Sequence, residues 1–275
     1  MLYGFMLNRH HNRSATLIQS DRNFDDLTTR FARNIYGSAK GEVRLAIVWE
    51  HLLQTLPQLT AGKPLRILDA GCGLGQMGLK LAELGHELVL SDLSEKMVDE
   101  TRKLFDEQLP DADVQLLHVS VQDLNADELG QFDLVLFHAV LEWLAEPKVT
   151  LEHLLALIRP DGFLSLMFYN RDALIFRNLI RGNWRKAESD NLQGEEGGLT
   201  PYHPLTLEEV QGWLQGWHYP VISRAGVRVV FDYMDRKMRE ARDVEEVVRI
   251  EMKYARKEPY LHLGRYLHLI ARKDS

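Results

Sequence analysis

The stretch LDAGCGLGQMG, Leu68 to Gly78, constrains the fold of this chain more than any other. The apolar run PLRILDAG leads into glycines at 71, 73, 75 and 78, and the amphipathic segment QMGLKLAEL follows. This reads as a buried strand, a turn that needs positive φ or close backbone approach, and a helix. Two patterns overlap in the turn. Gly73, Gly75 and Gly78 spell G-x-G-x-x-G; Asp69, Gly71, Gly73 and Gly75 spell D-x-G-x-G-x-G. Either one presents exposed amides at a helix start to a nucleotide.

The strand–helix rhythm continues. ELVLSDLS is a second strand, and Ser94 caps a helix over 94–109 that stops before Pro110. VQLLHVS is a third strand. FDLVLFHAV (132–140) is a fourth, almost wholly apolar, as a strand covered on both faces must be. A helix around 149–158, a turn at Pro160-Asp161-Gly162 and a fifth strand, FLSLMFYN, come next. Upstream, Val43–Leu56 has helical apolar spacing and is closed by Pro57 and Gly62. This succession predicts an α/β fold: a Rossmann-like, mostly parallel sheet with helices on both faces. After Asn170 the rhythm breaks, and residues 171–204 read as a polar insertion. A helix is expected at 206–217, a strand near 226–231, a helix at 243–258 and a last strand at 265–273. Residues 1–20 read as a flexible N-terminal extension and 21–275 as one domain carrying that insertion.

Bulk properties narrow the class. No apolar run approaches the ~20 residues of a membrane span, and residues 1–20 lack the apolar centre of a secretory signal. The single cysteine, Cys72, rules out a disulfide framework or a cysteine-based metal site, and points to the cytoplasm. No metal is expected. Residues 1–170 carry 15 Lys/Arg against 24 Asp/Glu, a net of −9, whereas residues 171–275 carry 18 against 16, a net of +2. A polyanion partner is thereby permitted but not required. Arg171, Phe176, Arg177, Arg181, Trp184, Arg185 and Lys186 interleave cations with aromatics. Such a set suits an RNA backbone and a splayed base, and equally a solvated amphipathic helix.

Loops at the carboxyl ends of strands one to four decide which nucleotide is held. Asp92, ending strand two, suits the ribose of NAD or of S-adenosylmethionine, so an NAD-dependent oxidoreductase stays in view there. Three features favour methyl transfer. Asp69 stands before the glycines, where it would repel a pyrophosphate but welcome an ammonium or sulfonium. Gln122-Asp123 follows strand three, where a carboxylate can accept from an adenine amino group or cap a helix. His138 stands where strand four runs out, in FHAVLEWL.

Taken in order, DAGCGLG, SDLS, VQDL and FHAVLEWL resemble the successive motifs of class I S-adenosylmethionine-dependent methyltransferases. Together with NIYGSAKGEVR, LSLMFYN, GVRVVFDYM and EPYLHLGRYLHLIARK, the chain from Asp21 to Lys273 is similar to the tRNA 5-carboxymethoxyuridine methyltransferase family. The resemblance implies a class I sheet with an antiparallel final strand. It implies methylation of the 5-carboxymethoxyuridine carboxylate at the tRNA wobble position, with S-adenosylhomocysteine as by-product and the anticodon loop as partner. It also implies a cofactor site of Arg44, Gly71, Cys72, Asp92, Gln122, Asp123 and His138, to which Asp69 and Gly73 of the turn are added. Cys72 departs from a family member that carries Gly at this place in the turn, a change that a backbone contact would tolerate.

The chemistry is consistent with that expectation. No general base with an orienting partner stands out, and a carboxylate of pKa ~4 needs none at neutral pH. Alignment of the reactants can supply roughly 7–11 kcal/mol of the barrier. An anionic substrate asks for a cation or hydroxyl, and the candidates are Tyr36, Tyr169, Arg228 and Arg265. A small-molecule carboxyl or O-methyltransferase on the same fold is the alternative.

Overall fold

A computed structural model describes residues 20–25, 38–189, 192 and 201–274. The strands are β1 (Arg66–Ala70), β2 (Glu87–Asp92), β3 (Val114–His118), β4 (Phe132–His138), β5 (Ile158–Tyr169), β6 (Val221–Val227) and β7 (Tyr266–Arg272). They pair in the order β3-β2-β1-β4-β5-β7-β6. β1 to β5 are mutually parallel, and β7 runs antiparallel to both β5 and β6. The strand order reverses between β1 and β4, which opens the crevice where ligands of such sheets sit.

Alternation along the strands sends side chains into two cores. On one face Val135, Phe137, Leu164, Leu166, Phe168, Leu267 and Leu269 pack under α5 (Pro147–Leu155) and α8 (Leu207–Gly216). On the other, Ile67, Leu88, Leu90, Leu134, Leu136, Met167 and Ile270 pack under α1 (Ala39–Thr55), α2 (Gln76–Ala82), α3 (Glu95–Gln108) and α10 (Val244–Ala255). Each buried aliphatic side chain contributes roughly 1.5–3 kcal/mol, so both faces must be covered for the sheet to persist. α1 forms because Val43, Ile47, Val48 and Leu52 recur on one buried face, and Pro57 closes it. Ser94 caps α3 by accepting from the Met97 amide, as its sequence position suggests.

Three expectations are corrected. Pro160-Asp161-Gly162 is no separate turn: β5 begins at Ile158, and the register shift between Phe132 and Leu134 absorbs the extra residues as an irregularity, with Asp161 at φ 62°. The strand expected near 226–231 spans Val221–Val227 instead, because Arg228 turns left-handed (φ 62°) and the chain folds into a short 3-10 turn at Phe231–Tyr233. The helix expected around 149–158 runs over Pro147–Leu155 instead, because Ile158 already pairs with Phe132 in the sheet. The polar stretch after Asn170 opens with α6 (Arg171–Ile180) and α7 (Trp184–Glu188), in keeping with its amphipathic pattern.

Buried polar side chains fix the C-terminal ends of these strands. Asn170 donates to the carbonyls of His262 (2.8 Å) and Gly264 (2.9 Å) and accepts from the Asp172 amide. It thereby ties the end of β5, the start of α6 and the loop entering β7. Leu205 returns to the same point, its amide donating to Tyr169 O at 3.1 Å. Glu251 of α10, fully buried, accepts from the amides of Val229, Phe231 (2.6 Å each) and Val230 (3.0 Å), and so shapes the turn carrying Arg228 and Asp232.

Candidate active site

The glycine turn is held from three sides. The amides of Gly71 and Cys72 both donate to Ser91 O, the Gly73 amide donates to an Asp92 carboxylate oxygen at 2.9 Å, and Thr101 donates to Gly73 O at 2.9 Å. Gly71 has φ 78°, and a Cβ there would lie 2.4 Å from the Val140 side chain. Gly75 has φ 70°, and a Cβ there would lie 2.5 Å from Thr101. Both positions therefore exclude a side chain.

The turn opens onto a cleft at the switch point that encloses about 1130 Å³ out to bulk solvent. Arg44, Asp69, Gly71, Cys72, Gly73, Asp92, Gln122 and His138 all line it. Burial raises the Asp69 carboxyl to about 7, with the Asp92 charge adding to the effect. Among the described residues no hydrogen bond reaches that carboxyl, which leaves it to meet a cationic ligand. Burial also raises Asp92, while the amides of Ser94 and Gly73 oppose the rise. The Cys72 thiol is pushed well up by burial and by both acids, so it is inert. Two acids, a cation and a glycine turn fit the ammonium, sulfonium, ribose and carboxylate of adenosylmethionine, and fit a pyrophosphate poorly.

The other candidates fall elsewhere. Asp123 is exposed, accepts the Ser120 hydroxyl at 2.6 Å and does not line the cleft. Its neighbour Gln122 lines the cleft and donates to Asp21 at 2.6 Å. Tyr36 lies outside the described residues. Tyr169, Arg228 and Arg265 come together, though they are far apart in sequence. Arg265 donates to the Tyr169 hydroxyl at 2.7 Å and approaches Asp232 at 3.4 Å, and Arg228 lies 2.9 Å from the other Asp232 oxygen. Burial would raise the Asp232 carboxyl, but Arg228 and Arg265 hold it below its ordinary range. Arg177 of α6 and Lys40 of α1 complete the group. Burial, then the neighbouring arginines, lowers both of them. Four cations thus face Asp232, because Glu251 behind it is committed to three amides. This cluster adjoins the cleft: Tyr169 follows cleft-lining Met167 on one face of β5, and Lys40 lies one helical turn before Arg44.

Two features lacked a sequence signal. Residues 21–25 strap the cleft mouth. Asp21 accepts from the Ala145 amide at 2.8 Å, the Arg22 amide donates to Trp143 O at 3.1 Å, and Phe24 packs edge-on against Trp143 at 5.0 Å. Glu142, in the FHAVLEW motif, is 1% exposed, and burial pushes its carboxyl up to about 8. The amides of Glu142 and Tyr169 face it without a hydrogen bond of good geometry among the described residues, and Arg44 is its nearest influential cation.

Comparison with known proteins agrees with this geometry. Residues 68–164 match the family described as methyltransferase domain. The magnesium protoporphyrin IX methyltransferase of Synechocystis PCC 6803, solved with bound SAH, shares the fold: its TM-score is 0.63 at 18% identity, over 91% of this chain and 96% of that one. Fold and cleft together define an adenosylmethionine-dependent methyltransferase, not a hydride-transferring enzyme. The tRNA 5-carboxymethoxyuridine methyltransferase of Escherichia coli (strain K12) is 40% identical over 253 residues, 92% of this chain and 97% of that protein. A ubiquinone biosynthesis O-methyltransferase of Xanthomonas axonopodis pv. citri (strain 306) matches at 32% over 42% of this chain and 48% of its own length. The chain belongs to the tRNA 5-carboxymethoxyuridine methyltransferase family.

Proposed function

We propose that this chain methylates the carboxylate of 5-carboxymethoxyuridine at the wobble position of tRNA, forming 5-methoxycarbonylmethoxyuridine. The observation that carries the reading is the surplus of cations around the single acid Asp232 beside the cofactor cleft, with Arg228 and Arg265 buried and Arg177 half-buried, in a chain alike over 92% of its length to the Escherichia coli enzyme. Adenosylmethionine supplies an electrophilic methyl group whose S–C bond breaks as a carboxylate O–C bond forms, the two opposite charges cancelling without any proton transfer.

The residues have alignment as their task. Asp69 and Asp92 meet the ammonium and ribose, Arg44 the methionine carboxylate, the Gly71–Gly73 amides the ligand backbone, and Gln122 the adenine side, with Asp123 just outside. Arg265 and Tyr169 grip the uridine carboxylate, with Arg228 and Arg177 supplying further positive field. Tyr36 remains a candidate beside them. His138 is too weakly basic for a general base, since burial and then Arg44 lower it to about 3.

α6 and α7 leave directly from the cation cluster and, with Arg181 at the end of α6, set Arg185 and Lys186 of α7 among the exposed side chains of Phe176 (38%), Ile180 (53%) and Trp184 (64%). Trp184 is oriented by its indole N–H donating to Leu179 O at 3.2 Å. This surface receives the single-stranded anticodon loop, phosphates on the cations and a base on Trp184. A tRNA substrate places the enzyme in the cytoplasm; among the described residues no helix is long and apolar enough to cross a membrane. Nucleoside mass spectrometry on tRNA from cells lacking the protein tests the reading. The methyl ester should vanish and the free acid accumulate; an unchanged ester would contradict it.

A further inference from the structure

A file of buried side chains crosses the sheet behind the cleft. His138 Nε2 lies 2.7 Å from Ser165 Oγ, and Ser165 Oγ lies 2.8 Å from His268 Nε2. His268 Nδ1 lies 2.9 Å from His51 Nδ1, and His51 Nε2 lies 2.7 Å from Ser223 Oγ. β4, β5, β7 and β6 each contribute one member on the same face, and α1 contributes His51. Arg44 and His51 are seven residues apart, two turns along the same side of α1, so one helix serves both the cleft and the file. Ser165 and His268 are 0% exposed, and His51 is 2% exposed.

The hydrogens in this file can be counted. Burial lowers His51 and His138 to about 3 and His268 well below its ordinary value, so each ring is neutral and carries one N–H. Three N–H and two O–H groups serve four hydrogen bonds, which leaves one hydrogen for an end of the file. One mixed arrangement avoids any clash, because a hydroxyl oxygen can accept twice: Ser165 then accepts from both His138 and His268, and its own hydrogen, on a side chain 0% exposed, finds no acceptor among the described residues. Every other mixture sets two donors or two lone pairs against each other at 2.7–2.9 Å, so the arrangements that remain have the donors all pointing one way or all the other. If they point toward Ser223, its hydroxyl hydrogen finds no acceptor among the described residues. If they point toward His138, every internal donor is used and the spare N–H is Nδ1 of the one member that lines the cleft.

We propose that Ser165, His268 and His51 are positioning residues that hold His138 with its proton on Nδ1, so that a neutral N–H faces the cleft as a donor to a carboxylate oxygen of the bound ligand. The choice of a carboxylate rests on the function proposed above and on Arg44, which reaches the cleft beside His138. Both the methionine end of the cofactor and the substrate bring one. The tautomer itself follows from the file alone.

Two-bond proton–nitrogen spectra of the 15N-histidine-labelled whole protein, with S-adenosylhomocysteine and no RNA, read the tautomer directly. His138 should show a protonated Nδ1 and an unprotonated Nε2 at neutral pH; a protonated Nε2 or a cationic ring would overturn the proposal. Ser165→Ala cuts the file next to His138 and should turn that pattern into a tautomer mixture, which a merely space-filling Ser165 would not do. In the same variant, affinity for S-adenosylhomocysteine falling roughly tenfold places the acceptor on the cofactor. An unchanged affinity with the tRNA KM raised roughly tenfold and kcat little altered places it on the substrate. Neither change would remove the donor role. Failure of the tRNA reading would leave the free-protein spectra intact, so the two can fail separately.

Discussion

The nucleotide half of the cleft and the cation cluster beside it differ in how they draw on the chain. Asp69, Gly71, Gly73, Asp92, Gln122 and His138 lie at the ends of successive parallel strands, so each follows its own apolar run and can be read off in order. The cluster gathers Lys40 from α1, Tyr169 from β5, Arg177 from α6, Arg228 and Asp232 from the turn after β6, and Arg265 from the entry to β7. Its geometry is set by antiparallel pairing and by Asn170 and Glu251, neither of which carries a motif. The half proposed to hold the cofactor can thus be recognised from local pattern, whereas the half proposed to face the substrate is a product of tertiary structure.

The largest test of the division is Asp92→Ala. Losing the acid that braces Gly73, and that we propose meets the ribose, should weaken S-adenosylhomocysteine binding by ~100-fold or more by calorimetry, with tRNA affinity kept. Arg265→Lys should do the converse. It removes the fork between Tyr169 and Asp232, so kcat/KM for tRNA should fall roughly tenfold or more while S-adenosylhomocysteine affinity stays within about twofold. Equal damage to both ligands by either change would erase the distinction between the halves.

Titration sharpens it further. The Asp69 carboxyl sits at about 7 in the free protein, and a bound cation favours its ionised form. Affinity for adenosylmethionine should therefore rise with pH up to about 7 and then level off, falling about tenfold per unit below that point. At saturating cofactor, kcat should show no general-base limb above about pH 6, because the acceptor carboxylate is already ionised. The smallest effect belongs to Glu142, which at about 8 is neutral at pH 7. Glu142→Gln should change activity by less than about twofold, whereas Glu142→Ala leaves a buried void. Because the folded carboxyl titrates above its unfolded value, its stabilisation is complete below about pH 4.5 and is lost as pH rises toward 8. Thermal melts of Glu142→Gln should lack that slope.

Sheet, helices and the order of the first five strands were legible because apolar periodicity and turn residues agree there. The turn read at Pro160–Gly162 misled because a bulge uses the same residues as a loop. The strand read near 226–231 was placed late because its apolar run, Val229 to Phe231, packs as a turn pinned by Glu251, not as sheet. Asp123 shows the limit of motif reading at the site itself. Its neighbour Gln122 turns into the cleft while the acid binds Ser120 outside. The histidine file had no signature at all, since His51, Ser165, Ser223 and His268 meet only through sheet order.

In the function proposed, one half of the site holds a methyl donor and the other grips an anionic acceptor. Purified protein given adenosylmethionine and tRNA bearing 5-carboxymethoxyuridine, with the digested nucleosides read by mass spectrometry, tests that union most directly. Conversion of the wobble acid to its methyl ester, lost in Arg265→Lys and absent from tRNA lacking the carboxylate, is the predicted result. An acid left intact by protein that binds S-adenosylhomocysteine normally would contradict it and return the substrate to the small carboxylic acids.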